Sequence, residues 1–490
     1  MDFALARTEV EIPAFHEWRV ETSRTGVLNI KLESGTAEIF GTELTSNINY
    51  TFKESMKFAI STYHGCKISY TTTSPLDLEY ISEETILKQI LNLHLSIEKN
   101  NISNNNNNNT NSRILIIGPK DSGKTSLART LSSYSLKTSN SKPIIINLNP
   151  QLSHFTMPSQ LTACELYDSL DIETTTFGET MSTGPGTGLY RSQIPLVKNY
   201  GLESFTENLE LYKCLINELS IEIDNKLSIS NSNLKGNIII DTPAFNVSNA
   251  KIIQHIINSF KINIILVVGN ERLLVDLRKK LTLNDKVHMI KMPRSSGCIE
   301  KEPKYQRELQ QKSIKQYFYG SNRCQLNPYT LHCFTTDFLF LKPKELDSSN
   351  MELMDFMNGD ADDDDNDDDD YDPFAGNDND NSKKKLERNW KYNNMFQIVD
   401  DPQETDLMNV IVSIIDDKDL DIKKLLSSND IDEKEKLSII NKHVTMSSVL
   451  GFCYVSGFTS STKKLKLLVP TPVTTLPGKV LVLTQMRYHE

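Results

Sequence analysis

The stretch Arg113-Ile-Leu-Ile-Ile-Gly-Pro-Lys-Asp-Ser-Gly-Lys-Thr-Ser126 constrains this chain more than any other. Gly118, four residues, then Gly123, Lys124 and Thr125 make a phosphate-binding loop pattern. The apolar run Ile114–Ile117 before it reads as a buried strand, and Ser126–Leu131 after it as the start of a helix. The chemistry requires that order. Glycines let successive backbone N–H groups curl around phosphate oxygens, and a helix N-terminus adds positive potential at the same place. Lys124 would reach the outer phosphates as a point charge, and the Thr125 hydroxyl would ligate Mg²⁺. The expected ligand is a nucleoside triphosphate.

At 490 residues the chain has room for about three domains. Its formal charge of −11 is set by one segment: twelve aspartates fall between Asp360 and Asp380, and without them the balance is near +1. The remainder therefore carries no broad basic face of the kind that grips nucleic acid. The seven cysteines are dispersed, with no CxxC pair, which fits a reducing compartment and argues against a zinc site. The N-terminal Met-Asp-Phe-Ala-Leu-Ala-Arg lacks the apolar core of a signal peptide, and no run of 18 apolar residues offers a membrane span. The cytosol and the nucleus both remain open on this evidence.

Residues 1 to about 80 read as β structure. Val27–Glu33 alternates, with Leu28, Ile30 and Leu32 on one face, and Phe58–Tyr63 and Lys67–Tyr70 are further strand candidates. Gly35, Gly41 and Gly65 punctuate them, as in a small sandwich. Ser82, followed by Glu83 and Glu84, reads as a helix start, and Ile86, Leu87, Ile90, Leu91 and Ile97 continue that helix. Asn100–Asn111 holds nine asparagines and reads as a tether. From 113 to 325, apolar strands at Pro143–Leu148, Gly236–Asp241, Ile262–Val268 and Val287–Met292 alternate with helices at Glu203–Glu218 and Ala250–Phe260. That alternation predicts a parallel, doubly wound α/β sheet with ligands beyond the carboxyl ends of the strands. Thr174–Leu202 reads as loop and Ser295–Gly320 as a charged helix. Two readings stand for Asp241: a second carboxylate ordering Mg²⁺, or a cap for the Thr242-Pro243 turn. Residues 326–490 read as a β-rich domain with strands at Thr330–Leu341, Met408–Ile415, Ser448–Tyr454, Leu465–Val469 and Lys479–Leu483, interrupted by a disordered acidic insert at about 356–385. The domain plan is thus 1–98, a linker at 99–112, 113–325, and 326–490.

Several strings resemble the Clp-type subunit of the mRNA 3′-end cleavage factor, of fungal type, a relative of the polynucleotide 5′-hydroxyl kinases. They are Gly35-Thr-Ala-Glu-Ile-Phe-Gly-Thr-Glu-Leu44, Gly118–Ser126, Met157-Pro158, Asn270-Glu-Arg-Leu273, Gln316-Tyr-Phe-Tyr-Gly320 and the prolines at 470, 472 and 477. The first is highly specific; the phosphate loop alone is not. The resemblance implies an N-terminal β-sandwich, a central phosphate-loop domain of kinase type and a smaller C-terminal domain, with ATP and Mg²⁺ as ligands. Carried over by motif, Glu17 in His16-Glu-Trp-Arg-Val-Glu21 and Lys57 in Met56-Lys-Phe-Ala-Ile60 would hold the base. Asp121, Ser122, Gly123, Lys124, Thr125 and Ser126 would hold the phosphates, with Thr125 and Asp241 at the metal. Without the family, Glu17 and Lys57 would read as exposed strand residues.

The departures from the family pattern bear on function. Where kinase-active relatives end the second strand in an aspartate that activates the RNA hydroxyl, this chain has Asn149, and no catalytic residue is assigned. An amide cannot act as the base. Where such relatives carry lid arginines, it has Lys301 and Gln306, which replace a bidentate guanidinium poorly or not at all. The resemblance therefore implies a nuclear, ATP-binding, essentially inactive kinase homologue. It would bind the scaffold subunit that contacts the RNA polymerase II tail, alongside other 3′-end processing subunits, with RNA contact at most indirect and no membrane. The alternatives are an active RNA 5′-hydroxyl kinase, with Asp241 or another acid replacing the base, and a slow ATPase switch.

Overall fold

The computed structural model describes residues 6–53, 55–105, 112–138, 142–174, 195–229, 235–320, 325–346, 392, 395–418, 420, 425 and 431–489. The acidic insert and most of the Thr174–Leu202 stretch lie outside the described residues, as do Asn106–Asn111 of the asparagine tract. Two compact units result, one from residues 1–197 and 219–327, the other from 198–218 and 328–490.

The first unit begins with a β-sandwich. One sheet runs in the order Thr8–Ile12, Cys66–Thr72, Val27–Gly35, Asn49–Lys53; the other runs Thr42–Glu43, Glu38–Ile39, Lys57–Ser61, Glu17–Glu21, Leu78–Ser82. The alternation in Val27–Gly35 does what its period demands: Leu28, Ile30 and Leu32 are buried together with Trp18, Phe52 and Ile68. Gly35 has φ 83° and a Cβ there would lie 2.3 Å from the Gly65 carbonyl oxygen, so only glycine closes that corner.

Ser82 starts no helix. Leu78–Ser82 pairs antiparallel with Glu17–Glu21, Ser82 lying opposite Glu17, and the helix begins only at Leu87. The acidic pair Glu83-Glu84 mimics a helix start, but the ladder claims the residues before it first. Nor does the asparagine tract begin as a tether, because the helix Leu87–Asn105 runs into it. Asn101 is buried, donates to the Asn237 side chain at 2.9 Å and accepts from the backbone and hydroxyl of Ser112.

The α/β sheet orders Leu196–Asn199, Gln160–Glu165, Lys142–Asn147, Lys235–Asp241, Arg113–Ile117, Ile264–Val268 and His288–Met292. The strands from Lys142–Asn147 through His288–Met292 are parallel, as the apolar runs predict. Gln160–Glu165, however, pairs antiparallel with Lys142–Asn147, so the sheet is mixed. Its Gln-Leu-Thr-Ala-Cys-Glu sequence has too few β-branched residues to announce a strand. The phosphate-loop strand Arg113–Ile117 sits inside the sheet, buried at every position, and the helix Lys124–Thr138 packs Leu127, Ala128, Leu131 and Tyr134 onto the same core.

The second unit is a seven-stranded sheet in the order Tyr329–Phe334, Lys464–Val469, Val449–Thr459, Val410–Ile415, Val480–Arg487, Leu339–Pro343, Phe396–Ile398. The stretch expected as one strand, Thr330–Leu341, is two, parted by the 3₁₀ turn Thr335–Asp337. A helix, Glu433–Met446, was not expected and buries Ile440 and Val444. No helix among the described residues is long and apolar enough to cross a membrane.

Candidate nucleotide-binding site

The phosphate loop leaves its strand at Gly118 and enters its helix at Lys124, with Asp121 (φ 54°) and Gly123 (φ 91°) bending the backbone between them. A Cβ on Gly118 would lie 2.9 Å from the Val268 carbonyl oxygen, and one on Gly123 would lie 2.8 Å from Cys298 Sγ. Both glycines are thus needed for close approach. Lys124 is buried and its Nζ folds back to donate to the carbonyl oxygens of Gly118 (3.0 Å) and Pro119 (2.7 Å). The Thr125 hydroxyl donates to Asp241 Oδ2 at 2.6 Å. Asp241 is wholly buried, and its Oδ1 has no donor in hydrogen-bond geometry.

Burial dominates the electrostatics here. It pushes the Lys124 and Lys301 ammonium groups below their usual range, against the pull of Asp241 and Asp121. It brings the Arg129 guanidinium down to about 9, with Asp241 partly opposing. It also raises the Asp241 carboxyl, which Thr125 and Lys124 offset in part. Buried Lys124 and the partly buried Arg129 and Lys301 thus gather with Asp121 and Asp241 near the phosphate loop. Such a group holds its charge best when an anion joins it.

One cavity of about 460 Å³ runs from this loop to the β-sandwich and is lined by every one of the phosphate-loop residues 120–126, by Asn149 and Lys301, and by Glu17 and Lys57. The strand Glu17–Glu21 explains how sandwich residues reach it. Trp18 and Val20 point into the sandwich core, so Glu17, Arg19 and Glu21 point the other way, yet Glu17 and Arg19 are only 8% and 7% exposed. That face is covered by Tyr80 and the Glu84 backbone on one side and by Ser296 and Gly297 on the other. Exposure, the family-free expectation for Glu17, is therefore wrong. Burial raises its carboxyl, opposed by the charge and hydrogen bonds of Arg19 at 2.6 Å. Lys57 pairs with Glu21 at 2.7 Å and lies 5.2 Å from the centre of the Tyr305 ring.

The turn that follows the strand Lys142–Asn147 also arrives here. Asn149 does not point freely at the cavity: its Oδ1 accepts the Gln151 N–H at 3.2 Å and closes the Asn-Pro-Gln turn. The helix Pro303–Tyr319 locks that turn from above, Gln306 donating to Gln151 Oε1 and Gln310 to its carbonyl oxygen, each at 3.2 Å. Lys301, just before this helix, gives its backbone N–H to Asp121 Oδ2 at 3.0 Å. Ser122 turns its hydroxyl to the Pro119 carbonyl oxygen, and Ser126 lines the cavity.

Sequence reasoning passed over Arg19, Arg129, Cys298 and Tyr305, all of which line this cavity. A period-2 reading of Glu17–Glu21 is the signal that would place Arg19 beside Glu17; nothing local says that the face is covered.

A phosphate loop at the end of a strand flanked by parallel neighbours, with a β-sandwich lending side chains to the same cavity, defines a phosphate-loop protein of nucleotide-binding architecture. Family models match in three consecutive blocks: "N-terminal beta-sandwich domain of polyadenylation factor" over residues 11–103, "mRNA cleavage and polyadenylation factor CLP1 P-loop" over 118–320, and "Pre-mRNA cleavage complex II protein Clp1" over 326–490. The mRNA cleavage and polyadenylation factor CLP1 of Debaryomyces hansenii is 33% identical over 98% of this chain and 95% of its own. That of Candida albicans is also 33% identical, over 98% and 96%. The chain belongs to the CLP1 family of mRNA cleavage and polyadenylation factors. Among solved structures, a wild-type Clp1p–Pcf11p complex aligns over 99% of both chains at 28% identity and a TM-score of 0.78. A second, concerned with an extended Pcf11p–Clp1p interface and with ATP loss in a point mutant, aligns equally well at 27% identity.

Proposed function

We propose that this chain is an ATP-binding subunit of the nuclear pre-mRNA 3′-end cleavage and polyadenylation complex, in which ATP with Mg²⁺ is a structural ligand and no phosphoryl group is transferred. The observation that carries the binding half is the convergence of Lys124, Arg129 and Lys301 on the cavity at the phosphate loop. A triphosphate would bring further anionic oxygens to these cations, which Asp121 and Asp241 offset only in part. Lys124 would exchange its contacts with the loop carbonyls for the outer phosphates, and the N–H groups of 121–126 would take the remaining oxygens. The Thr125 hydroxyl and the Asp241 carboxylate, with its unused Oδ1, fit an Mg²⁺ ion that keeps phosphate oxygens and water as its other ligands. Glu17 would accept from the adenine amino group, and Lys57 would face the base beside Tyr305.

Asn149 supports the second half. It carries no charge, its oxygen is committed to the turn, and the Gln306 and Gln310 amides hold that turn. Asp241, at the end of the neighbouring strand, is engaged by Thr125 and too deeply buried to serve an incoming hydroxyl. By likeness to the Clp1p–Pcf11p structures, the partner is the corresponding cleavage-factor subunit, the scaffold that reaches the polymerase tail. RNA contact would be indirect.

Two assays test this. Nucleotide extracted from the purified chain should be ATP rather than ADP, and should be absent from Lys124→Ala. Incubation of stoichiometric chain with labelled ATP and 5′-hydroxyl RNA should transfer no label. Transfer abolished by Lys124→Ala would establish the kinase instead.

A further inference from the structure

We infer that Arg19 is a clasp that ties recognition of the base to closure over the phosphates, and thereby sets both adenine selection and the lifetime of the bound nucleotide. The inference rests on the ATP-binding reading above and extends it to a residue that no phosphate-loop pattern contains.

The guanidinium of Arg19 uses all of its edges. Nε donates to Glu17 Oε1 at 2.6 Å, one terminal nitrogen donates to the Tyr80 hydroxyl at 3.0 Å, and the other donates to the Glu84 carbonyl oxygen (2.9 Å) and Ser296 Oγ (2.8 Å). Ser296 Oγ donates in turn to the Glu84 carbonyl oxygen at 3.1 Å. Two elements distant in sequence thus meet on one side chain: the sandwich strand that bears Glu17, and the strap 295–301. The strap continues to the phosphate loop, where Cys298 packs against Gly123 and the Lys301 N–H bonds Asp121. Gly297 lies against the guanidinium so closely that a Cβ there would stand 2.8 Å from Nε.

Chemistry assigns the two roles. A carboxylate held ionised offers only acceptors, which suits the amino group of adenine and repels the carbonyl oxygen of guanine. Arg19 supplies the counter-charge that keeps buried Glu17 in that form. The same planar fork pins the strap, and the strap covers the loop. Lysine could replace the charge but not the fork.

The full-length chain is loaded with a fluorescent ATP analogue, which is competed with GTP for selectivity and chased with excess ATP for release. The wild type should favour ATP over GTP by about tenfold or more, since a site built around one hydrogen-bonding edge rejects its opposite strongly. Arg19→Met should bring that ratio to about unity and release ATP about tenfold faster. Arg19→Lys should keep the ratio near wild type and still release faster, a split that general loosening of the fold would not produce. If Arg19→Met does not fold, Gly297→Ala displaces the guanidinium from the strap side and should shorten the lifetime likewise. Wild-type selectivity and release rate in these variants would overturn the inference alone. A wild-type chain that binds no nucleotide would overturn the functional reading and the inference with it.

Discussion

Ser159 shows how much one residue can be held against its own preference. It sits at φ 67°, in the left-handed region, fully buried, with a hydroxyl that finds no partner. A non-glycine residue there is strained and a buried lone hydroxyl is costly. Ser159→Gly should raise stability by about 1 kcal/mol, seen as a higher urea midpoint with an unchanged slope. Two histidines give the pH counterpart. His94, bonded to Thr138 at 3.0 Å, is held below its usual value of 6.5 by burial, and His154 is lowered further, by burial and then by Arg129 and Lys301. Depressed folded values mean the unfolded chain binds more protons below 6.5, so stability present at neutral pH is lost as pH falls. Thermal midpoints from pH 7.5 to 5 should fall, and His94→Gln should flatten the descent.

Among elements, the pair Lys142–Asn147 and Lys235–Asp241 decides where the site's strand ends come to lie. Their parallel register slips between Lys142 and Ile144, so that Gly236 and Asn237 face Pro143, which has no N–H to contribute. A Cβ on Gly236 would lie 2.0 Å from the Lys142 carbonyl oxygen. Gly236→Ala should therefore cost about 2–3 kcal/mol and lower the denaturation midpoint, whereas Gly457→Ala, whose nearest neighbour would be 3.4 Å away, should change it little. The helix Pro303–Tyr319 is the second deciding element. Its buried Ile314, Tyr317 and Phe318 anchor one end, which leaves Gln306 and Gln310 over the Asn149 turn. Restoring the acid alone, as Asn149→Asp, should not create a kinase, since that turn stays bolted to the helix; a label-transfer assay checks this.

For the molecule as a whole, the division into two compact units predicts unequal response to ligand. Under the proposed function ATP would bind the first unit in its folded form only, so at a hundredfold excess over Kd it should add about 2.7 kcal/mol to that unit. Hydrogen exchange should slow around 113–138 and 235–241, leave the sheet of 449–487 unchanged, and lose the effect in Lys124→Ala. What was legible beforehand follows from local rules: the phosphate loop, the parallel strands with their apolar runs, and the alternation of Val27–Gly35 each carry their signal within a few residues. The β-sandwich, the phosphate-loop α/β region and the β-rich region were readable for that reason, while the resemblance to the family rested on specific strings such as Gly35–Leu44. Gln160–Glu165, the helix Glu433–Met446 and the true start at Leu87 were not, because partners far along the chain overrode weak local preference. The sequence by itself determined the phosphate-loop pattern Gly118–Thr125, and the family resemblance implied that Asn149 stands where kinase-active relatives carry an acid. Only tertiary structure decided that Glu17 and Arg19 lie under cover, since burial is a property of what a strand's outer face meets, and no residue encodes its neighbour across 277 positions, the separation of Arg19 from Ser296.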